Sequence, residues 1–443
     1  MTPDAQTPPT TIRTMTLDTQ TQPTQGRRAA GPRILVYSSL FPSVAAPTAG
    51  TFIRERMFRV ARRLPLVVVA PQPWSPFDWM VRLVRKGFRP MGAAREAVDG
   101  IEILRPRFLS LPGVLKRLDS RLMAWSTLGC VRAQQRRFGV DIIDAHFAYP
   151  DGHAATLIGR RLGLPVTITL RGSKDQRLIG TDCEPSLRDA LAHADRVIAV
   201  SDSLRHEVAE PLGLPAGRVK VIGNGVDLEK FEPVDRTEAR RRLGLDADAK
   251  VLIGVGNLIE LKGFHRVVPL LPALRERFGK LVYLIVGGGT GQGDMSEHIL
   301  ALAREHGVAD CVRLCGRQAP EELKWYYGAA DAFALATAYE GWANVLLEAM
   351  ACGVPVVTTR VGGNAEVVAS EAVGTLVEFW DGEAFGQALA AALARDWDRE
   401  ALLAYARANA WDLRIDALVD EFEALAASRT ARATVASPLM ESK

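Results

Sequence analysis

The feature that most constrains this chain is a repeated alternation of short apolar runs with helical segments. Near-continuous runs rich in Val and Ile occur at residues 33–39, 64–70, 140–146, 165–170 and 196–201. Helical patterns such as residues 52–64 lie between them. Strands of this composition are typical of parallel sheets that are covered on both faces. Their alternation with helices predicts a doubly wound α/β domain.

A second set of the same kind follows in the C-terminal half, at residues 251–258, 281–289, 311–316, 331–337 and 354–359. Between the two sets, residues 219–235 carry a strand into a Gly-Asn-Gly turn and a Pro-containing connector, which we interpret as an interdomain hinge. A chain of 443 residues is long enough for two cores. We therefore expect an N-terminal Rossmann-like domain over 32–225 and a C-terminal Rossmann-like domain over 226–405.

The two ends of the chain differ in composition from the middle. Residues 1–31 are rich in Thr, Pro and Gln, which predicts a disordered tail. One helix is predicted over 399–428, and its part over 406–430 is expected to pack back towards the N-terminal domain, followed by a flexible tail over 431–443. The sequence shows neither a signal peptide nor about 18 successive apolar residues that would span a membrane.

Charge and cysteine content limit the kinds of partner. The formal net charge of +4 is small for this length and does not indicate a nucleic-acid partner. The five cysteines are scattered, and Cys311 and Cys315 have no second Cys or His pair nearby, so we expect neither disulfides nor a zinc site. Asp246-Ala-Asp248 lies between a basic helix and a strand and predicts a turn. We expect no metal and no other cofactor.

The sharpest local pattern is residues 337–359, in which Glu340 and Glu348 flank a Gly-Trp-Ala-Asn step. The pattern predicts a strand, an exit loop and a helix, with Asn344 as its N-cap and Gly353 after its end. A helix start favours a phosphate group, and carboxylates accept hydrogen bonds from sugar hydroxyls. The pattern therefore indicates a sugar at one acid, a ribose at the other and a diphosphate between them. The alternative is a pair of solvated acids.

The segment 340–368 resembles the Glu-x7-Glu motif of the retaining, nucleotide-sugar-dependent glycosyltransferases of family 4. The stretches at 197–204, 221–227, 255–264 and 362–368 match that family in order and spacing, so the likeness covers about residues 32 to 425. The resemblance implies the GT-B fold, in which two Rossmann-like parallel-sheet domains face a central cleft. It further implies that 32–225 is the acceptor domain and 226–405 the donor-nucleotide domain. It also implies transfer of a hexose-type sugar from a UDP- or GDP-sugar to a saccharide or lipid-linked acceptor.

The resemblance assigns separate roles to the two acids. Glu340 is expected to face the hydroxyls of the transferred sugar, and Glu348 is expected to face the ribose of the nucleotide. Between them, the sugar and diphosphate are expected to be held by the backbone N–H groups of Gly341, Trp342, Ala343 and Asn344.

A departing diphosphate needs positive charge where its negative charge grows. Lys262, in a loop directly after a strand, is expected to supply it. The family usually has an Arg five residues before this Lys, whereas this chain has Asn257, which donates hydrogen bonds but carries no charge. Arg171 stands where the family more often has His and is a candidate substitute. A solvated loop lysine and a structural arginine are the alternatives.

Three further loops contribute candidate site residues. His146 ends the strand 140–146, where a His in related enzymes contacts the donor sugar or helps to move a proton; a structural histidine is the alternative. Gly50 precedes a helix and would let the backbone approach the donor diphosphate or the acceptor. Gly316 and Arg317 are expected to approach the nucleotide base through their backbone atoms.

The resemblance also suggests the course of the reaction. Catalysis is assigned to His146, Glu340 and Lys262. Because Glu340 binds the sugar, a double displacement by two carboxylates is not favoured. We expect front-face attack, in which the departing phosphate takes the proton of the acceptor and the rate depends on positioning and phosphate stabilisation.

The segment 73–138 has an unusual surface composition. It holds thirteen Arg or Lys against five Asp or Glu, and Trp74, Phe77, Trp79, Phe88 and Phe108 lie among them. A basic and aromatic surface suits anionic lipid and would bring a lipid-linked acceptor to the cleft. The alternative is an Arg-rich solvated face. The expected location is the cytoplasm, with a peripheral position on the inner face of the cell membrane.

Three other function classes share parts of this pattern. A sugar-nucleotide epimerase has the same two-domain architecture but needs no acceptor. A dinucleotide oxidoreductase is disfavoured, because the glycines at 287–294 do not form the dinucleotide fingerprint. A non-catalytic nucleotide-sugar-binding partner of a biosynthetic complex is the third, since Asn257 replaces an expected cation.

Overall fold

The structure is a computed structural model and describes residues 31–85, 88–290, 293–379 and 381–436. The tail expected over 1–31 lies outside these residues except for Gly31, as do residues 437–443 of the expected C-terminal tail.

The described part of the N-terminal half contains ten short strands. They are β1 (Ile34–Tyr37), β2 (Leu66–Val69), β3 (Gln72–Trp74), β4 (Arg95–Val98), β5 (Ile101–Leu104), β6 (Arg107–Leu109), β7 (Ile142–His146), β8 (Val166–Leu170), β9 (Arg196–Ala199) and β10 (Val219–Val221). Eight of them form one sheet in the order β10-β9-β8-β7-β1-β2-β5-β4, and β3 pairs with β6 separately. The large sheet is parallel except that β4 runs antiparallel to β5.

The helices of this half cover both faces of the large sheet. They are α1 (Thr51–Val60), α2 (Asp78–Val84), α3 (Asp119–Arg137), α4 (His153–Leu162), α5 (Ser173–Gln176), α6 (Glu184–His193) and α7 (Asp202–Leu204). The central strand β1 is fully buried along its length. Burial on both faces is the reason why its sequence is continuously apolar rather than alternating.

Six strands are formed by the residues that the structure describes in the C-terminal half. They are β11 (Lys250–Val255), β12 (Leu281–Val286), β13 (Val312–Gly316), β14 (Ala332–Leu335), β15 (Val356–Thr359) and β16 (Gly374–Val377). They form one wholly parallel sheet in the order β13-β12-β11-β14-β15-β16.

Ten helices in the described residues accompany this second sheet or follow it, the last of them running to Ala436. They are α8 (Arg236–Leu243), α9 (Phe264–Val267), α10 (Leu271–Phe278), α11 (Ser296–Glu305), α12 (Leu323–Ala329), α13 (Asn344–Ala351), α14 (Asn364–Val367), α15 (Gly382–Ala394), α16 (Arg399–Ala408) and α17 (Trp411–Ala436). We call β1–β10 with α1–α7 the N-terminal lobe, and β11–β16 with α8–α16 the C-terminal lobe. Two Rossmann-like parallel-sheet units are therefore confirmed.

The chain crosses between the lobes at two adjacent points. The N–H of Val226 donates to the carbonyl of Asn409 at 3.1 Å, and the N–H of Trp411 donates to the carbonyl of Val226 at 3.3 Å. This second crossing breaks the helix predicted over 399–428 into α16 and α17, so the prediction of one continuous helix is wrong. Beyond the break, Ile415 and Phe422 of α17 pack with Ile34 in a core of the N-terminal lobe.

The last helix continues to Ala436, six residues into the segment for which a flexible tail is expected from the sequence. Each helix within the described residues is too short or too polar to span a lipid bilayer.

Candidate active site

The site is built where the carboxyl ends of strands from both lobes meet. A Cβ atom on Gly341, in the loop after β14, would lie 2.4 Å from the carbonyl oxygen of Arg171 and 2.7 Å from the Cα of Gly172. Arg171 and Gly172 directly follow β8 of the N-terminal lobe. The two loops are therefore in direct backbone contact, and Gly341 has no side chain because none would fit. In open parallel sheets this edge is the usual place for ligands.

Lys262 and Glu340 form an ion pair at the centre of this edge. The Nζ of Lys262 lies 2.5 Å from Oε1 of Glu340, and the two side chains are 20% and 10% exposed. Their loops are tied together, since the N–H of Ala338 and the hydroxyl of Thr337 both donate to the carbonyl of Leu261, at 2.8 and 3.0 Å. The cation and the acid thus neutralise each other in a fixed position.

The helix α13 starts directly after this acid. It begins at Asn344, and Ala343 is the N-cap residue, with no side-chain cap. The prediction that Asn344 caps the helix is wrong, because its side-chain oxygen accepts a hydrogen bond from the Asn224 amide at 3.1 Å instead. The first turn keeps its backbone N–H groups uncapped by a side chain, which favours an anion at this end. Trp342 packs its ring against Gly223 near the hinge.

Glu348 has different surroundings from Glu340. It is partly buried on α13, and its carboxylate accepts a hydrogen bond from the Tyr327 hydroxyl at 3.0 Å. Burial raises the pKa of Glu348 to about 7; the charge of Glu55 adds to this rise, whereas Tyr327 and Lys230 oppose it. The two acids of the motif therefore differ in their partners: Glu340 pairs with a lysine and Glu348 accepts from a tyrosine.

His146 is fully buried at the end of β7 and has both ring nitrogens near partners in its own lobe. The Nε of Arg171 donates to its Nδ1 at 3.0 Å, so the ring proton is assigned to Nε2, which lies 3.3 Å from Oδ2 of Asp144. Burial, followed by the charges of Arg171 and Arg56, holds the pKa of His146 well below its usual value. The structure brings a neutral His146 together with Arg171, and its catalytic role stays a prediction.

Asn257, Gly316 and Arg317 lie together at the ends of β11 and β13. The guanidinium of Arg317 donates to the carbonyl of Gly288 at 3.2 Å and to that of Gly289, and it approaches the Asn257 side-chain oxygen at 3.5 Å. The side chain of Arg317 therefore contacts the loop after β12, although the sequence argument concerned only its backbone. Gly316 has a positive φ of 68°, which suits the sharp exit from β13.

Gly50 is explained by packing inside the N-terminal lobe. It precedes α1 with φ 69°, and a Cβ atom there would lie 2.2 Å from the carbonyl oxygen of Leu40. Its expected approach to the diphosphate or the acceptor stays a prediction.

One further inter-lobe contact involves Glu366, a residue that was not among the predicted site residues. The carboxylate of Glu366 on α14 accepts hydrogen bonds from the backbone N–H groups of Asp202, at 2.7 Å, and Ser203, at 3.0 Å, across the lobe boundary. The nearby Gly363 N–H donates to the carbonyl of Glu340 at 3.0 Å. The Gly-Gly-Asn-Ala-Glu sequence marked this loop, but the partner of Glu366 lies some 160 residues away and leaves no local signal.

Possible metal ligands are dispersed in the part of the chain that the structure describes, where no group of three or more His, Cys, Asp and Glu side chains could hold a metal ion. Asp246 lies in a turn, as predicted, with its side chain accepting from the N–H of Asp248 at 3.0 Å. All five cysteines are free thiols.

Known proteins resemble both lobes. The family model Glycosyltransferase Family 4 matches residues 48–230, and the model Glycosyl transferases group 1 matches residues 235–409. D-inositol 3-phosphate glycosyltransferase of Actinosynnema mirum is 35% identical over 324 residues, which are 69% of this chain and 77% of that protein. A Bacillus subtilis glycosyltransferase named for teichuronic acid biosynthesis, TuaC, is 29% identical over 342 residues, which are 75% and 82% of the two chains.

Solved structures share the architecture. Sucrose-phosphate synthase from Thermosynechococcus elongatus superposes with a TM-score of 0.65 at 22% identity, covering 92% of this chain and all of that chain. Anabaena Alr3699/HepE in complex with UDP-glucose gives 0.59 at 19% identity, over 90% and 99% of the two chains. At these identities the likeness concerns the fold, and the expected GT-B architecture is confirmed. Since the family models cover both lobes and a relative aligns over more than two thirds of its own length, this chain is a glycosyltransferase of family 4 with the GT-B fold.

Proposed function

We propose that this glycosyltransferase transfers a hexose-type unit from a nucleoside diphosphate sugar to an acceptor hydroxyl with retention of configuration. The observation that supports this most directly is the ion pair of Lys262 with Glu340, 2.5 Å apart beside the start of α13. A cation and a helix start suit a diphosphate, and a carboxylate suits sugar hydroxyls. Both kinds of group are present within one loop cluster.

Donor binding would exchange the partners of this ion pair. The diphosphate takes the ammonium of Lys262, and Glu340 is released to accept hydrogen bonds from the hydroxyls of the sugar. The complex of the structural neighbour HepE with UDP-glucose supports a uridine nucleotide as the first donor to try. A guanosine nucleotide is the second.

The chemical step uses positioning and charge. The bond from the anomeric carbon to the diphosphate oxygen breaks, and the acceptor oxygen bonds to the same face of that carbon. The acceptor proton passes to the departing phosphate oxygen. Lys262 and the N–H groups from Gly341 to Asn344 stabilise the charge that develops there. We propose that these protein groups do so without a resident metal.

The first experiment is a thermal-shift screen of UDP, GDP and their sugars, followed by transfer assays in EDTA buffer. A ligand at a hundred times its Kd adds about 2.7 kcal/mol of stability, which is readily visible. We expect Lys262→Ala to lower kcat about a hundredfold, since one preorganised charge is lost.

The matched control is Lys280→Ala, which removes another ion-paired lysine, the partner of Asp246 on the surface. It should leave activity within about twofold, as expected for an exposed pair. An active Lys262→Ala enzyme would contradict the proposal. An isomerised donor formed without acceptor would instead indicate an epimerase.

We further propose that the enzyme works in the cytoplasm at a membrane surface, where a lipid-linked acceptor would be presented. Of fifteen large apolar side chains that are exposed in the described residues, ten fall between Trp74 and Trp125. On α2, Trp79 is 61% and Leu83 76% exposed. The acid of this helix is turned inwards, since Asp78 is buried and binds Arg89 at 3.1 Å. An apolar face with exposed basic residues suits anionic lipid.

This part of the proposal is tested by sedimentation with vesicles that contain about a third anionic lipid. Wild-type protein should bind, and Trp79→Ser with Leu83→Ser should bind at least about tenfold less, because each buried CH₂ contributes about 0.8 kcal/mol. Leu413→Ser removes a 62% exposed leucine on α17 and serves as the control. Wild-type protein that stays in the supernatant would contradict membrane binding and leave the donor chemistry untouched.

A further inference from the structure

Two arginines of the N-terminal lobe are buried together with too little negative charge to match them. Arg56 on α1 is fully buried, and Arg171 after β8 is 8% exposed. The charge of Arg56 lowers the pKa of Arg171 further than burial alone does, so the two guanidinium groups interact. The acid that opposes them is Asp144, which already accepts from the Thr167 hydroxyl at 2.6 Å.

The hydrogen-bonding capacity of both guanidinium groups is largely unused. The Nε of Arg171 donates to His146, and one terminal nitrogen of Arg56 donates to the carbonyl of Ile222 at 3.2 Å. The remaining nitrogens, Nη1 and Nη2 of Arg171 and Nε and Nη2 of Arg56, are buried and find no acceptor among the described residues. Buried charged donors without acceptors cost free energy, so an acceptor from outside the chain would stabilise this arrangement.

The backbone of Arg171 lies at the proposed site. The carbonyl of Arg171 abuts Gly341, the residue after Glu340, so Arg171 and Glu340 stand on opposite sides of the lobe contact. The guanidinium of Arg171 lies over the ring of Phe52, with Cζ 5.4 Å from the ring centroid. The ring restricts the guanidinium plane without satisfying its N–H groups. The indole N–H of Trp342, from the other lobe, is likewise buried without an acceptor among the described residues.

We propose that Arg171, with Arg56 behind it, binds an anionic group, a carboxylate or a phosphate, that one of the two substrates carries in addition to the donor diphosphate. The planar fork of a guanidinium binds such groups through two parallel hydrogen bonds. A neutral sugar and a neutral acceptor would present hydroxyls alone and leave this buried charge unmatched. The inference rests on the proposed function, in which Lys262 and the start of α13 already hold the diphosphate.

The anion has two possible sources, and they can be separated with matched ligands. A carboxylate would belong to the transferred sugar, and UDP-glucuronate against UDP-glucose tests it. A phosphate would belong to the acceptor, and inositol 3-phosphate against inositol, each titrated into the UDP-saturated protein, tests that. Dissociation constants are measured by calorimetry on the full chain. We expect the anionic member of one pair to bind about tenfold tighter, since charge-assisted hydrogen bonds are the stronger ones.

The variants are Arg171→Gln, Arg171→Lys and the control Arg177→Gln, which removes an exposed arginine six residues along the chain. Arg171→Gln should reduce the preference for the anionic over the neutral ligand to about twofold or less and leave the affinity for UDP unchanged. Arg171→Lys keeps the positive charge but lacks the planar fork of the guanidinium, so it should retain part of the preference for the anionic ligand. It also provides a second test if Arg171→Gln does not fold. Arg177→Gln should behave as wild type.

Several results would overturn the inference. If the wild type bound the anionic and the neutral member of each pair equally, these buried donors would be satisfied by water alone. A preference that survives in Arg171→Gln would place the anion elsewhere. A loss of UDP affinity in that variant would assign Arg171 to the diphosphate. Failure of the proposed function itself is separately visible, because wild-type protein would then bind no nucleotide in the first titration.

Discussion

Glu340 and Glu348 are the same residue type eight positions apart, and their neighbours give them different acid–base behaviour. Glu340 faces the ammonium of Lys262, whereas Glu348 is placed among apolar atoms with the neutral hydroxyl of Tyr327 as its partner. Burial raises the pKa of Glu348 to about 7, so near neutrality its carboxyl carries a proton in part of the molecules. A neutral carboxyl accepts hydrogen bonds from ribose hydroxyls less well than an ionised one.

We therefore expect the affinity for the donor to depend on pH through Glu348. Binding to the ionised form must displace the proton, so the Kd should be about tenfold higher at pH 6 than at pH 8, given a free-protein pKa near 7. Calorimetry with the nucleotide sugar found by the screen checks this, because its diphosphate diester has no pKa in that range. Glu348→Gln should bind more weakly and with a flat profile. A wild-type profile that is equally flat would contradict a ribose contact by an ionised Glu348.

The local pattern predicted the positions of Lys262 and Glu340 in exit loops, because a strand, a loop and a helix can be identified within a few residues. It did not predict their ion pair, which joins residues 78 positions apart. It was wrong about Asn344, because the competing partner Asn224 comes from the hinge. The engagement of His146 by Arg171 is likewise set by the sheet, which places the ends of β7 and β8 side by side. Roles set by distant partners leave no signal in a local motif.

At the scale of elements, the loop from Glu340 to Asn344 works only if its backbone can touch the opposite lobe. We expect Gly341→Ala to push the loops after β14 and β8 apart, since its Cβ would lie 2.4 Å from the Arg171 carbonyl oxygen and the obstacle is backbone. Transfer activity should fall at least about tenfold, because displacements of about 1 Å at reacting groups are costly. Steady-state kinetics and thermal unfolding of the same sample check this.

The control for that substitution is Gly129→Ala on α3, where a Cβ meets nothing within 4 Å. Alanine should stabilise that helix by about 0.5–1 kcal/mol and leave the kinetics unchanged. If Gly341→Ala turned over substrate at the wild-type rate, the close contact of the two loops would not be needed for the reaction.

The predicted strands correspond to the observed ones with ends differing by at most three residues, because a fully buried parallel strand must be apolar along its whole length. The strands β3 to β6 and β16 were missed for the opposite reason. Burial in β4 alternates between exposed and partly buried positions, and Glu102 of β5 pairs with Arg95 and Arg137. Half-solvated strands of three or four residues resemble charged loops in sequence. The break at residues 409–410 was missed because both flanking segments are good helix formers.

At the scale of the whole molecule, ionic contacts from both lobes converge around the hinge and the site. On the hinge side, Lys230 binds Glu55 of α1 at 2.9 Å, and Arg59 of α1 binds Asp227. On the other side, Glu366 of the C-terminal lobe accepts from the backbone N–H groups at the start of α7. The first set joins α1 to the connector between the lobes, so it can persist when the lobes separate. Among the described residues, the hydrogen-bond donors to the Glu366 carboxylate lie across the boundary, so separation of the lobes must break these bonds.

Glu366 therefore contributes selectively to the state in which the lobes touch. Two charge-assisted hydrogen bonds from a partly buried carboxylate are worth about 1–2 kcal/mol after exchange with water, which corresponds to about a 5- to 30-fold change in the ratio of touching to separated lobes. We expect Glu366→Ala to have a larger radius of gyration in solution scattering without ligand, to regain the wild-type value with saturating donor, and to show a raised KM for the donor. Glu371→Ala, which removes an exposed acid nearby, should match wild type throughout. Identical scattering of the free Glu366→Ala and wild-type proteins would mean that apolar packing and the Gly341 contact hold the lobes together without this carboxylate.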